Sequence, residues 1–417
     1  MKKLLLAGIG LVAIGAGVMA GWYYRPWSPY SPARIAELDN EDRYFELFQE
    51  MDEVLPSRPI AAANPEPFAR DLRPLIVNYD WQGGQKPLEA YLDEAHVMGL
   101  SVLKDGVVIH QTFRLGADEN TRMTSWSVAK SFVATLIAEA MTEGKIGSLD
   151  DLAQTYAPQY QGTDYGNTSL RHLLMMSAGM DFIEDYTDDA PRSDIRPLFF
   201  NAFIMGKNVD EMIGAIKRNR EPGQDLHYTS PNSHVLAAVV RGVYGKSLPD
   251  IVEDKLWAPL GMESDATWLT NRNDDQGLAI GYCCLQATSA DFARFGQLYL
   301  QDGVWNGQRL LPEGWVDQAT RANAPFQAAG PDAVYAPRGY GLHFWFPPEA
   351  DQEFSAEGVF GQYIWVDQRR GVVIAINAGD PDYWNRKDET IAVMRAIVSA
   401  VAPEQVEDEG DIESPAP

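Results

Sequence analysis

The sequence predicts an α+β fold, in which an antiparallel sheet is built from hairpins near both ends of the chain, flanked by terminal helices and interrupted by a helical insertion. Three observations carry this. Two apolar runs, 99–103 and 107–112, flank Lys104-Asp105-Gly106, a turn suited to a tight β-hairpin. Strand patterns return only late, at 341–346, 361–366 and 372–377, with 367–371 as the turn between the last two. Between these regions, from Ser148 to about Leu311, helical patterns alternate with loops and almost no strand pairs are apparent.

Taken in order, the chain opens with Lys2 and Lys3, an uncharged run over 4–21, and then Trp22, Tyr23, Tyr24 and Trp27. Such a segment targets a membrane, either as an uncleaved anchor with an aromatic interfacial belt or as a cleaved signal peptide, and the lysines keep its start in the cytoplasm. Both readings export the remainder. Residues 25–87 are rich in Pro, Asp and Glu and read as a stalk and cover, with a short helical pattern around 44–51. After the hairpin, Val128, Phe132, Val133, Leu136, Ile137, Ala140 and Met141 recur at helical spacing until Glu143-Gly144, so Ser127 stands at a helix start. A last amphipathic helix covers 387–401, and the acidic stretch from Glu404 reads as a disordered tail. The resulting division is a targeting segment (1–24), an extension (25–90), one folded domain (91–403) and a tail (404–417).

The 45% hydrophobic and 11% aromatic content belongs to a globular protein. A net charge of −25, from 34 basic and 59 acidic residues, repels nucleic-acid phosphates and excludes nucleic acid as a partner. Six histidines lack metal-ligand spacing, so neither a metal nor another cofactor is expected. The two cysteines, Cys283 and Cys284, are adjacent, and a bond between neighbours needs a strained ring, so no disulfide is expected either.

Three segments carry chemistry. Ser127-Val128-Ala129-Lys130 places a hydroxyl and an amine on one face of a helix turn. A buried lysine loses its charge more easily and can take the serine proton, while the helix start adds a free Ser127 N–H for an oxyanion. Alone, the same pattern also describes a helix cap followed by a surface lysine. Tyr228, in His227-Tyr228-Thr229-Ser230-Pro231-Asn232, precedes a second apolar helix and can project its hydroxyl into a cleft, as phenolate or proton relay, or simply pin a loop to the core. Ala356-Glu357-Gly358-Val359-Phe360-Gly361-Gln362 leads into a strand whose glycines permit close backbone approach, with the Val359 N–H as a second oxyanion donor.

In this order and spacing the three segments resemble the serine β-lactamase and penicillin-binding superfamily, its class C-like branch, and within that 6-aminohexanoate-dimer hydrolases and related esterases. The resemblance spans about residues 95–400, including Arg171-His172-Leu173-Leu174-Met175-Met176-Ser177-Ala178-Gly179 and Trp257-Ala258-Pro259-Leu260-Gly261-Met262. It implies a β-lactamase/transpeptidase-like fold, with Ser127 as nucleophile, Lys130 as its base, Tyr228 as proton shuttle, and the Ser127 and Val359 N–H groups as oxyanion hole. Ser230, Glu357 and Gly358 fall at substrate-binding positions. Where class C enzymes carry Tyr-x-Asn and Lys-Thr-Gly, this chain has Tyr228-Thr229-Ser230 and Ala356-Glu357-Gly358. The cation for a β-lactam carboxylate is missing and Glu357 adds a negative charge, which disfavours penicillins. After Gly179, Asp181, Glu184, Asp185, Asp188 and Asp189 surround Tyr186, which the resemblance makes a substrate-binding hydroxyl; the loop reads equally as a solvated acidic segment.

The expected activity is therefore hydrolysis of a small-molecule amide or ester through an acyl-enzyme. A penicillin-binding D-Ala-D-Ala peptidase or β-lactamase, and a non-catalytic membrane-tethered ligand sensor, are the alternatives. An α/β-hydrolase is disfavoured because no Gly-x-Ser-x-Gly elbow occurs.

Overall fold

The protein is described from a computed structural model, over residues 2–25, 27–28, 30–187 and 190–403. Asp188, Asp189 and the tail 404–417 lie outside the described residues. Seven strands form the central sheet: β1 (Val97–Lys104), β2 (Val107–Phe113), β3 (Gly339–Tyr340), β4 (Trp345–Phe346), β5 (Glu353–Gly358), β6 (Gln362–Asp367) and β7 (Val372–Ala378). Their spatial order is β3-β4-β5-β6-β7-β1-β2, antiparallel throughout. The hairpin early in the chain thus closes onto the last strand, with Val372 opposite Lys104 and Ala375 opposite Ser101.

β7 is buried along its whole length, and its continuous apolar run reflects cover on both faces. Val372, Ile374 and Ile376 point toward one face, where Val393, Met394, Ile397 and Val398 of the final helix pack with Leu88, Tyr91 and Leu92 of the helix Leu88–Glu94. Val373 and Ala375 point the other way, into the main core with Phe292 and Phe295. Four longer helices organise the fold: α1 (Ala129–Thr142), α2 (Ser230–Tyr244), α3 (Ser289–Leu300) and α4 (Lys387–Val401). Every residue of α1 from Ala129 to Ala140 is buried, so this helix is central rather than merely amphipathic.

Several expectations need correction. The run 341–346 is not one strand: β3 and β4 pair across a tight turn in which His343 takes φ 63°. β5 was expected only as a strand entry, yet it pairs with β6 over six positions. The middle of the chain also holds strands, Ala266–Leu269 and Leu285–Ala287, which join Ser57–Ile60 and Met123–Thr124 in a second, four-stranded sheet. Residues of the extension enter the core, among them Phe48, Met51 and Ile60. Cys283 and Cys284 are joined as a vicinal disulfide; the chain accommodates the ring with Cys284 at φ 84°, and no distant segments are stapled.

A helix, Lys2–Tyr24, spans the N-terminal apolar run. Five glycines dilute its apolar run, and among the described residues no helix is long and apolar enough to cross a membrane.

Candidate active site

The second sheet delivers the chain to Ser127. Met123 and Thr124 pair with Ala287 and Gln286, and Ser125 exchanges two hydrogen bonds with Leu285: its N–H donates to the Leu285 carbonyl at 2.8 Å, and its Oγ accepts from the Leu285 N–H at 3.0 Å. A 3₁₀ turn, Trp126–Val128, then leads into α1, with Trp126 held at φ 41°. A positive φ at a large residue is strained and persists only where neighbours enforce it. Here Phe48 and Phe360 pack on the Trp126 ring at 5.4 and 5.7 Å.

One helical turn on, Lys130 is 2% exposed and its Nζ donates to Ser127 Oγ at 2.7 Å and to the Tyr282 carbonyl at 2.8 Å. Burial lowers the Lys130 ammonium to about 8, with the Glu184 carboxylate pulling in the opposite direction. The Nζ also lies 5.1 Å from the centre of the Tyr228 ring. Burial holds the Tyr228 phenol well above its usual range, the Glu184 charge adds to this, and a side-chain hydrogen bond with Ser127 opposes it. The phenol beside the hydroxyl–amine pair is therefore harder to ionise than a free one, which disfavours the phenolate option. Tyr228 is fixed by Trp345, stacked at 5.7 Å, by Tyr340 at 5.9 Å, and by its own N–H, which donates to the Tyr335 hydroxyl at 3.1 Å.

Ser230 opens α2, with Pro231 in the first turn, where its missing N–H costs nothing. The Glu184 carboxylate sits at this helix start, accepting the Ser230 N–H at 2.5 Å, the Ser230 hydroxyl at 2.8 Å and the Tyr186 hydroxyl at 2.7 Å. Tyr186 stands at the rim, 38% exposed. Sequence reasoning counted Glu184 only among several loop acids, whereas the structure makes it the acceptor that ties Tyr186 and Ser230 together.

The turn between β5 and β6 supplies the opposite wall. A methyl group at Gly358 would fall 2.6 Å from the Ser125 carbonyl and 3.1 Å from Ser127 N, so only glycine lets this strand press against the nucleophile turn. Val359 follows directly, and Gln362 Nε2 ties the turn to the Phe360 carbonyl at 3.2 Å and the Ala378 carbonyl at 2.6 Å. Glu357, in contrast, does not present a free charge to the cleft. Its carboxylate pairs with Arg338, whose guanidinium lies 4.5 Å over Trp345, and accepts the Ser355 hydroxyl at 2.8 Å. The expected repulsion of a substrate carboxylate by Glu357 is thus largely cancelled, because Arg338, on a neighbouring segment of the sheet, neutralises it, a pairing that residue spacing alone does not reveal.

The family model described as Beta-lactamase matches residues 87–395. Over 344 residues the chain is 27% identical to the 6-aminohexanoate-dimer hydrolase of Paenarthrobacter ureafaciens, covering 80% of this chain and 85% of that protein. A solved structure of a putative 6-aminohexanoate-dimer hydrolase from Bacillus anthracis superposes with TM-score 0.77 at 23% identity, covering 90% and 98% of the two chains. A class C β-lactamase gives TM-score 0.55 at 16% identity over 76% and 95%. With this fold and a serine–lysine pair at its centre, the protein is a serine hydrolase. It belongs to the β-lactamase family, with 6-aminohexanoate-dimer hydrolases among the proteins it resembles.

Proposed function

We propose that the protein hydrolyses a small-molecule amide or ester through an acyl-enzyme, in the manner of 6-aminohexanoate-dimer hydrolases. The observation that carries this is the 2.7 Å contact between Ser127 Oγ and the buried Lys130 Nζ, beside the Tyr228 phenol. In acylation the neutral Lys130 amine takes the Ser127 proton as Oγ bonds to the substrate carbonyl carbon. The oxyanion is held by the Ser127 and Val359 N–H groups. As the tetrahedral intermediate collapses, the C–N or C–O bond breaks and Tyr228 relays the proton to the departing amine or alcohol. Water then attacks the ester by the reverse route, releasing the acid and Ser127. Tyr186 and Ser230, both tied to Glu184, line the side where the substrate is bound.

Delivery beyond the cytoplasmic membrane through the N-terminal segment belongs to this reading. Lys2 and Lys3 precede the run, and Val12, Ile14, Val18 and Met19 stand exposed on the helix. Cell fractionation of the tagged full-length chain checks it; recovery in the cytosolic fraction alone removes it.

The catalytic reading is tested by a fluorophosphonate probe and a panel of linear ω-amino amides, p-nitrophenyl esters, D-amino-acid peptides and cephalosporins. Labelling at Ser127 with turnover of the amides or esters is expected. A folded protein that neither labels nor turns over any of them refutes it.

A further inference from the structure

The loop from Ile280 to Leu285 supplies no side chain to the constellation above, yet the dyad depends on it. Ile280 and Cys283 close a turn, the Cys283 N–H donating to the Ile280 carbonyl at 3.3 Å, with Gly281 and Tyr282 at its corners. The Tyr282 carbonyl is the one that accepts from Lys130. One residue earlier, the Gly281 N–H donates to His234 Nδ1 at 3.1 Å. His234 is fully buried in α2, and its Nε2 lies 3.0 Å from Asp210 Oδ1.

The tautomer follows from these contacts. Since Nδ1 accepts, a neutral imidazole must carry its proton on Nε2, which donates to Asp210. Burial also pushes His234 below its ordinary range despite Asp210, in keeping with an Nδ1 that accepts. Asp210 is itself fixed: Arg241 Nη2 reaches both its oxygens at 2.8 and 2.7 Å, and the Tyr160 hydroxyl donates at 3.1 Å. The turn cannot lift off α2 freely, because Gly281 lies so close that a methyl group there would come within 2.3 Å of Ala237 Cβ. Beyond the cysteines, Leu285 holds Ser125. The loop therefore brackets both partners of the dyad, the lysine through Tyr282 and the serine through Leu285.

A neutral amine has two hydrogens and one lone pair. When one hydrogen is committed to the Tyr282 carbonyl, the direction of the lone pair is restricted, and it can be kept on Ser127 Oγ. We propose that Asp210 and His234 are positioning residues for the base: by anchoring Gly281 they hold the Tyr282 carbonyl where it aims the Lys130 amine at Ser127. This rests on the assignment of Lys130 as base. The ionisable groups around Lys130 are Glu184, Tyr228 and His343, and those around His234 are Asp210, Arg241 and Tyr282, whose ring centre is 6.1 Å away.

His234→Leu removes the acceptor from Gly281, whereas His234→Asn keeps an amide oxygen, bonded to Cγ as Nδ1 is, that can take its place. For the Leu variant, kcat on a p-nitrophenyl ester falls by about 10 to 100-fold, as misplacement of a catalytic group by under 1 Å does, with KM within about twofold. Its acid limb in kcat/KM moves to lower pH, since an ammonium deprived of the carbonyl gives up its proton more easily. The Asn variant recovers most of kcat. Circular dichroism and Tm establish folding, and if the Leu variant does not fold, His234→Ala, which likewise lacks an acceptor, is held to the same criteria. Wild-type kcat and limb in a folded Leu or Ala variant, or equal losses in Asn and Leu with the limb unmoved, overturn the proposal. Lys130→Ala run alongside separates the two readings: if it stays active the base assignment itself falls, and if it is dead while His234→Leu is normal only this inference does.

Discussion

Lys130 shows how burial converts a surface charge into a candidate base. Its ammonium is out of water near the Glu184 carboxylate, and the balance sets it at about 8. Because the base must be neutral, kcat/KM for a p-nitrophenyl ester is expected to rise with pH and level off above about 8. Lys130→Ala and Ser127→Ala each abolish that hydrolysis, and Tyr228→Phe slows it by about 10²-fold or more in steady-state assays. Glu184→Gln removes the group that raises Lys130, so its acid limb moves to lower pH; a limb unchanged from wild type contradicts the electrostatic coupling. The Ser-x-x-Lys spacing made the dyad legible in the sequence. The Tyr282 carbonyl was not, because a backbone group leaves no mark on residue identity.

At the scale of elements, the site exists where the β5–β6 turn meets the 3₁₀ turn before α1. Gly358→Ala forces a methyl group into the Ser125 carbonyl, and either the strand or the nucleophile turn must retreat. The expected result is a loss of kcat of about 10²-fold with a modest fall in Tm, since the shift reaches the reacting hydroxyl. A fully active Gly358→Ala enzyme would show that the strand edge does not touch the chemistry. The Arg338–Glu357 pair behind Trp345 is buried, 5% and 10% exposed, so Glu357→Gln leaves a guanidinium without its counter-charge. Chemical denaturation should register a loss of about 3 kcal/mol. Strands with clean apolar runs, β1, β2, β6 and β7, were readable. β5 was hidden by Ser355 and Glu357, polar residues whose partners are inside the protein rather than in water.

For the molecule as a whole, the buried polar groups outside the cleft govern the response to pH. Glu139, on α1 and 6% exposed, is pushed up to about 8 by burial, which Lys255 opposes and Glu143 reinforces. The carboxyl is neutral in the folded protein and ionised in the unfolded chain, so unfolding releases a proton between these two values. Stability from this group is fully present below 4.5 and is lost as pH rises through about 8. Calorimetry of Glu139→Gln should show a Tm advantage over wild type that grows by a few degrees across that window; a constant difference argues against a neutral buried acid. The extension also belongs to this scale. Tyr44 and Phe48 pack on Phe360 at 4.6 and 5.4 Å, and Phe360 in turn packs on Trp126. A segment that reads as a polar cover thereby buttresses both walls of the site.

By itself the sequence determined the α+β class, the hairpins that close the sheet, the central helix and the one-turn spacing of Ser127 and Lys130, because periodicity and short spacings encode contacts made within a few residues. Only the tertiary structure decided that Glu184 serves Ser230 and Tyr186, that Glu357 is paired with Arg338, and that Asp210 and His234 stand behind the Tyr282 carbonyl that accepts from Lys130. Most of those pairings join residues well separated in the chain, and their energies depend on burial and orientation, which arise only once the sheet and helices have packed.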